Sequence, residues 1–231
     1  MTPRALSAER FVPPAADLGR LRDAAATCEG CPLFLGAGQT VFGSGNEGAR
    51  VVVVGEQPEE AEDREGSPFV GEAGTLLDDA LEQAGIDPAA VYRTYAVKHY
   101  KFIRIGIGTV QDPRSTSDGG RKVRLKPTRG EVSACRPWLV AELNAIGPEL
   151  VICLGGSAAH SLLGPEFQVS EHRGVVHVLA APDLDRNANI VVTVRPEAVA
   201  RLRAADRKEA FAQLLVDLRK AAEVLRRGEK A

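Results

Sequence analysis

The sequence predicts an α/β protein in which a parallel sheet carries helices on both faces. Short aliphatic runs, Val51–Val54, Leu150–Leu154 and Ile190–Val194, have strand length and strand composition. Helical patterns separate them, and that alternation is the signature of parallel strands joined by crossover helices. No internal repeat and no linker composition divides the chain.

Composition bounds the answer first. The 231 residues are 44 % apolar and 26 % charged, with a net charge of −2. These are globular values, and they exclude wholesale disorder. No run reaches the roughly 18 apolar residues that cross a bilayer. The start lacks the apolar core of a secretory signal, so a cytoplasmic protein without a membrane partner is expected.

Residues 1–18 are polar, contain Pro13-Pro14, and read as an N-terminal arm; residues 19–231 read as a single domain. A short helix is expected over 19–27. The strand Val51–Val54 leaves through Gly55-Glu56-Gln57-Pro58. A helix over 73–85 stops at Gly85, and a second strand runs from Val91 to Val97. Residues 101–127, rich in glycine and cations, read as a long loop. Thr128 and Glu131 form a capping box for a helix over 131–145, with Cys135 on its first turns. The strand Leu150–Leu154 turns at Gly155-Gly156-Ser157 into a helix over 157–163. A strand at Val175–Leu179 and the last one at Ile190–Val194 follow. Asp206 and Glu209 form a second capping box. The helix after it, 207–226, sets Phe211, Leu214, Leu215, Leu218, Val224 and Leu225 on one stripe.

In such folds ligands bind beyond the carboxyl ends of the strands. The loops that matter therefore follow residues 54, 97, 154 and 194. They carry Gly55-Glu56-Gln57-Pro58, the basic stretch, Gly155-Gly156-Ser157 and Arg195-Pro196-Glu197.

The four cysteines are Cys28, Cys31, Cys135 and Cys153. The first two form a C-x-x-C pair, which aims two thiolates at one ion. Zinc, an iron–sulfur cluster and a redox pair all fit four thiols. A redox motif should open a helix after a strand, and no β run precedes Cys28. Four unrelated buried cysteines are the bland alternative.

Charge is polarised. Residues 98–129 hold Lys98, Lys101, Arg104, Arg114, Arg121, Lys122, Arg124, Lys126 and Arg129 against Asp112 and Asp118, a net of +7. Residues 56–82 hold ten acids and one arginine, a net of −9. A basic stretch beside the predicted site suits single-stranded nucleic acid. The alternative is a solvated loop charged for solubility.

Several motifs then coincide. They are Cys28-x-x-Cys31-Pro32-Leu33, Val41-Phe42-Gly43, Val54-Gly55-Glu56-Gln57-Pro58, Glu62-Asp63 and Gly66-x-Pro68-Phe69-Val70-Gly71-x-x-Gly74-x-Leu76-Leu77. Ala96-Val97-Lys98-His99, Ala134-Cys135-Arg136-Pro137-Trp138-Leu139 and His172-Arg173-Gly174 complete the set. Together they resemble the iron–sulfur uracil-DNA glycosylases, from about residue 28 to about 225. The Gln57 form is similar to the UdgX branch beside family 4.

The resemblance implies a three-layer α/β/α sandwich on a central four-stranded parallel sheet. It also implies a structural 4Fe-4S cluster on Cys28, Cys31, Cys135 and Cys153, with zinc as the competing ion and a brown protein as the expected sign. The expected partner is DNA, in single-stranded form, met by a monomer. A glycosylase flips a base, holds its edge and stabilises the charge leaving with it. By resemblance Gly55, Glu56 and Gln57 line the base pocket, Gln57 through its backbone, and Phe69 stacks on the flipped base. Lys98, His99, Arg121, Lys122, Arg124 and Lys126 would contact DNA.

The sequence departs from the family where chemistry is done. Tyr95 stands where an asparagine reads the uracil edge, and a phenol lacks the amide's donor–acceptor pair. Arg195-Pro196-Glu197 replaces His-Pro-Ser, so a permanent cation replaces the histidine. Leu125 falls near the histidine with which the UdgX branch captures the sugar, and leucine is no nucleophile. Glu59 replaces a glycine. The expectation is a base-excision-repair protein that binds DNA with uracil excision weak or lost and without covalent capture. An active glycosylase using Gln57, Phe69 and Arg195 is the enzyme alternative. A cluster-carrying interaction or redox-sensing protein is the third.

Overall fold

The computed structural model describes residues 7–106, 109–111 and 120–228. The strands are β1 (Ser44–Gly45), β2 (Val51–Gly55), β3 (Val91–Tyr95), β4 (Phe102–Gly106), β5 (Thr109–Gln111), β6 (Arg121–Arg124), β7 (Leu150–Leu154), β8 (Val176–Leu179) and β9 (Ala188–Thr193). The helices are α1 (Leu18–Ala25), α2 (Glu60–Glu65), α3 (Glu72–Ala84), α4 (Arg129–Ile146), α5 (Gly156–Leu163), α6 (Val169–His172), α7 (Pro196–Ala200) and α8 (Ala204–Gly228).

Every residue of β2 is buried, because β3 and β7 flank it in parallel and helices cover both faces. That is why the run is all valine and glycine and does not alternate with polar residues. The sheet order is β1-β3-β2-β7-β9-β8. The inner four strands are parallel, and β1 and β8 add antiparallel edges. The sheet thus has six strands where four were expected. Ser44–Gly45 is too short to show any strand pattern in the sequence.

Alternate side chains of the inner strands feed two cores. Val52, Val54, Val151, Cys153 and Val192 pack with Leu21 of α1, Leu139 of α4 and Ala158 of α5. Val51, Val53, Ile152 and Val191 pack with Leu77 and Leu81 of α3 and Leu214 and Leu218 of α8. Each fully buried leucine or valine contributes about 1.5–3 kcal/mol, so these layers fix the sheet on which the site rests. Ahead of α1, Ala8 is buried, and its N–H donates to Ala134 O of α4 at 2.7 Å.

Residues 101–127 are not one long loop. They hold a three-stranded antiparallel sheet, β5-β4-β6, with Ile103 opposite Val123 and Arg104 opposite Lys122. Phe102, Ile103, Ile105 and Val123 supply its apolar positions, which the surrounding glycines and cations obscure in the sequence. Arg114, Asp112 and Asp118 lie outside the described residues, as do residues 1–6 of the arm. The second capping box also fails. α8 begins at Ala204, so Asp206 lies within its first turn.

Candidate functional site

From β2 the chain moves to β3 on one side and later to β7 on the other. The reversal opens a crevice beyond the carboxyl ends of β2 and β7. Gly55 ends β2 there. A Cβ on it would stand 2.7 Å from the Tyr95 ring and 2.8 Å from Phe69, so glycine is what lets both rings close over the strand end.

Phe69 and Tyr95 are stacked, with centroids 4.9 Å apart and planes 25° apart. The Tyr95 hydroxyl accepts the Phe69 N–H at 2.9 Å. Phe69 has φ +56°, a strained value for a residue with a side chain, and its surroundings hold it there. Gly74 gives the Phe69 carbonyl room; a Cβ on it would meet that oxygen at 1.8 Å. Phe69 is 7 % exposed and Tyr95 0 %, so the aromatic face expected to receive a base is covered by another side chain.

Carboxylates surround the Tyr95 hydroxyl. Burial raises the Glu62 carboxyl to about 7, against hydrogen bonds from the Glu59 N–H and Tyr95, and the charges of Glu197 and Glu59 add to the rise. Burial and the Glu62 charge push the Tyr95 phenol well up. Burial also raises Glu197, whose buried Oε2 has no hydrogen-bond partner.

Glu56 is the electrostatic centre of the crevice. Its carboxylate accepts from Ser157 Oγ at 2.5 Å, Arg124 Nη2 at 2.5 Å and Arg195 Nη1 at 3.0 Å. Burial pushes this carboxyl up, but Ser157, Arg124 and Arg195 outweigh it and hold it below its ordinary value. Three of the predicted loops therefore meet at one side chain: Glu56 after β2, Ser157 after β7 and Arg195 after β9. The basic sheet joins them through Arg124.

Gln57 is engaged through its side chain. Its side chain is buried and clamps the basic sheet, with Nε2 donating to Leu125 O at 2.8 Å and Oε1 accepting the Lys101 N–H at 3.1 Å. The amide is engaged there, so only its backbone is left to line the crevice. Glu59, at the family's glycine, pairs with Arg201 at 2.6 Å.

The candidate DNA contacts divide. Lys98 is not on the surface: it is 1 % exposed, pairs with Glu142 of α4 and donates to Tyr95 O at 2.9 Å. Glu142 also accepts from Tyr92 and the Gly43 N–H. His99 is buried too, against Thr40 Oγ1 at 3.0 Å, and burial lowers it to about 4. Both follow a strand end, where charge in the sequence looks like surface but here closes a core. Arg124 is held by Glu56 and Glu59, and Lys122 lies 3.5 Å from Glu60 and over the Phe102 ring. Arg121 and Lys126 are exposed.

All four cysteines are buried. Burial raises the thiols of Cys31 and Cys153, and that of Cys135 to about 12; the charges of Cys31 and Cys28 add to the rise at Cys135. Cys28 Sγ accepts from Trp138 Nε1 at 3.2 Å and from the Gly30 N–H at 3.4 Å. Cys135 Sγ accepts from the Lys98 N–H at 3.3 Å. Soft sulfurs met by N–H donors suit an iron–sulfur cluster, whose thiolates are tuned by such bonds. Cys153 lies in β7 on the same core face as Cys28 and Cys135. Among the described residues, no three or more histidines, cysteines or carboxylates are grouped so as to hold a metal ion.

Residues 42–219 match the family model described as the uracil DNA glycosylase superfamily. The chain belongs to that superfamily. Its fold is the superfamily's α/β architecture, with the mainly parallel six-stranded sheet described above. It is similar to the type-4 uracil-DNA glycosylase of Thermotoga maritima, with 34 % identity over 148 residues, 64 % of this chain and 67 % of that one. It is similar to the type-4 enzyme of Archaeoglobus fulgidus, with 36 % identity over 155 residues, 65 % and 68 % of the two chains. For that of Pyrobaculum aerophilum the figures are 33 % over 147 residues, 64 % and 65 %. The match spans about two thirds of each relative's length. No helix among the described residues is long and apolar enough to cross a membrane.

Sequence reasoning missed the roles of Ser157, Glu62 and Glu197. Ser157 was visible only as part of a strand-end loop, and Glu62 only as part of a motif. What brings them into the site is the packing of α2, α5 and α7 around the crevice.

Proposed function

We propose that this chain is a DNA-binding protein of base-excision repair that meets single strands and releases uracil weakly or not at all. The observation that carries this reading is the stack of Tyr95 on Phe69, which occupies the face a flipped base would use. Tyr95 also replaces the amide that would read the uracil edge. Leu125 offers no nucleophile near the position of the capturing histidine, so no covalent capture is expected.

The four cysteines are proposed as ligands of a 4Fe-4S cluster with a structural role. Their burial, their softness and the N–H donors on Cys28 and Cys135 support it. When bound, such a cluster would brace the segment before β1 against α4 and β7; base release is assigned to none of its chemistry.

A second reading is an active glycosylase. Arg195 and Arg124 favour it, since two guanidiniums beside the crevice could stabilise an anionic leaving base once Glu56 yields. Tyr95→Asn separates the readings. If Tyr95 closes the pocket, the variant releases uracil from a single strand faster than the parent. If the parent already excises uracil and Tyr95→Asn does not quicken it, the pocket-closure reading is wrong.

A further inference from the structure

The groove between the N-terminal half of α4 and α5 has no assigned role. It is a cavity of about 560 Å³, with Lys126, Arg129, Val132, His160, Leu162 and Pro165 on its walls. Ser157 lines it and bonds Glu56, so one side chain links the groove to the crevice. Among the described residues, no carboxylate lines it.

We infer that this groove is the track for the single DNA strand flanking the nucleotide at the crevice, held through its phosphates by Lys126 and Arg129. The inference rests on the proposal that the chain binds DNA, and it moves the principal contact away from the basic sheet. Of the cations in and beside that sheet, Arg124 is committed to Glu56 and Glu59, Lys122 to Glu60, and Lys101 to Glu131 at 2.8 Å, while Arg121 is exposed. Arg136, at the groove wall, is committed to Asp183 and to Ser161 O. Lys126 and Arg129 are exposed and form no ion pair with a described residue. Exposed cations attract phosphate, and each phosphate they neutralise releases counterions. Val132, Leu162 and Pro165 give sugars and bases an apolar wall. A cavity of this size is at the scale of a nucleotide ligand.

The test measures binding of a sixteen-nucleotide oligo-dT against salt. It compares the full chain, Lys126→Ala/Arg129→Ala, the charge-keeping Lys126→Arg/Arg129→Lys, and Arg121→Ala/Lys122→Ala in the basic sheet. Loss of two phosphate contacts lowers the slope of log K against log salt by about 1.4, at about 0.7 per contact for single strands. The expected result is that drop in the alanine groove variant, with the charge-keeping variant matching the parent and every thermal unfolding midpoint unchanged. A normal slope in the groove variant, with a reduced one in the basic-sheet variant, would overturn the groove while leaving DNA binding intact. Failure of the parent to bind oligo-dT at low salt would overturn DNA binding itself, and the groove with it. Equal binding of a duplex of the same length, with the same loss in the groove variant, would overturn the single-strand assignment.

Discussion

The Tyr95 hydroxyl accepts the Phe69 N–H at 2.9 Å while its ring stacks on the Phe69 ring at 4.9 Å. One side chain thus both holds Phe69 at φ +56° and covers its face. The two effects are separable. Tyr95→Phe keeps the ring and leaves a buried N–H without an acceptor. It should cost about 1–3 kcal/mol in urea unfolding and leave the pocket closed. A loss comparable to that of Tyr95→Ala would mean that the hydroxyl, not the ring, holds the loop.

Lys98 and Glu142 form a buried pair completed by Thr94, Tyr92 and the Gly43 N–H. Removing one partner strands the other charge. Lys98→Met or Glu142→Leu alone should destabilise the fold by about 3–5 kcal/mol. The double variant should lose much less than the sum, which a double-mutant cycle by chemical denaturation would measure. Additive losses would contradict the pairing.

Glu62 and His99 pull the pH dependence of stability in opposite directions. Burial raises Glu62 from 4.5 to about 7 in the folded chain, so its contribution is complete below 4.5 and is lost as pH rises through 7. Burial lowers His99 from 6.5 to about 4, so its contribution is complete above 6.5 and is lost as pH falls through 4. Glu62→Gln should therefore remove the decline between 4.5 and 7 and leave stability rising with pH up to 6.5. Unfolding free energies across that range would show it; an unchanged profile would mean Glu62 is ionised in the fold.

The native protein should be brown and carry iron. Cys28→Ser, Cys31→Ser, Cys135→Ser or Cys153→Ser should each bleach it and lower its thermal midpoint, because one ligand of four is lost. A colourless protein with one equivalent of zinc would replace the cluster with the competing ion. Cys153→Ser retaining full colour would show that the strand cysteine is not a ligand.

Much of this was legible in the sequence. The buried valine and leucine runs marked β2, β7 and β9, because a strand flanked on both sides and covered on both faces can only be apolar. The strand-end rule alone places the loops of Glu56, Ser157 and Arg195 at one crevice. Tyr95 was recognisable as a misfit for uracil, since it is an aromatic where an amide is needed. Lys98 and His99 were misplaced, because a sequence does not reveal that Glu142, 44 residues from Lys98, waits in the core to pair with it. The side-chain role of Gln57 is hidden in the same way, because its partners are backbone groups beside the basic sheet. That sheet was hidden because its apolar positions are few and interrupted by cations.

The most direct test of pocket closure uses excess protein and an end-labelled single strand containing one uracil, resolved on a denaturing gel with and without alkali. The account predicts a strand that stays intact after alkali and forms no slow-migrating adduct. Alkali-dependent cleavage of most of the strand would contradict it, because Tyr95 would then have to leave Phe69 and admit the base.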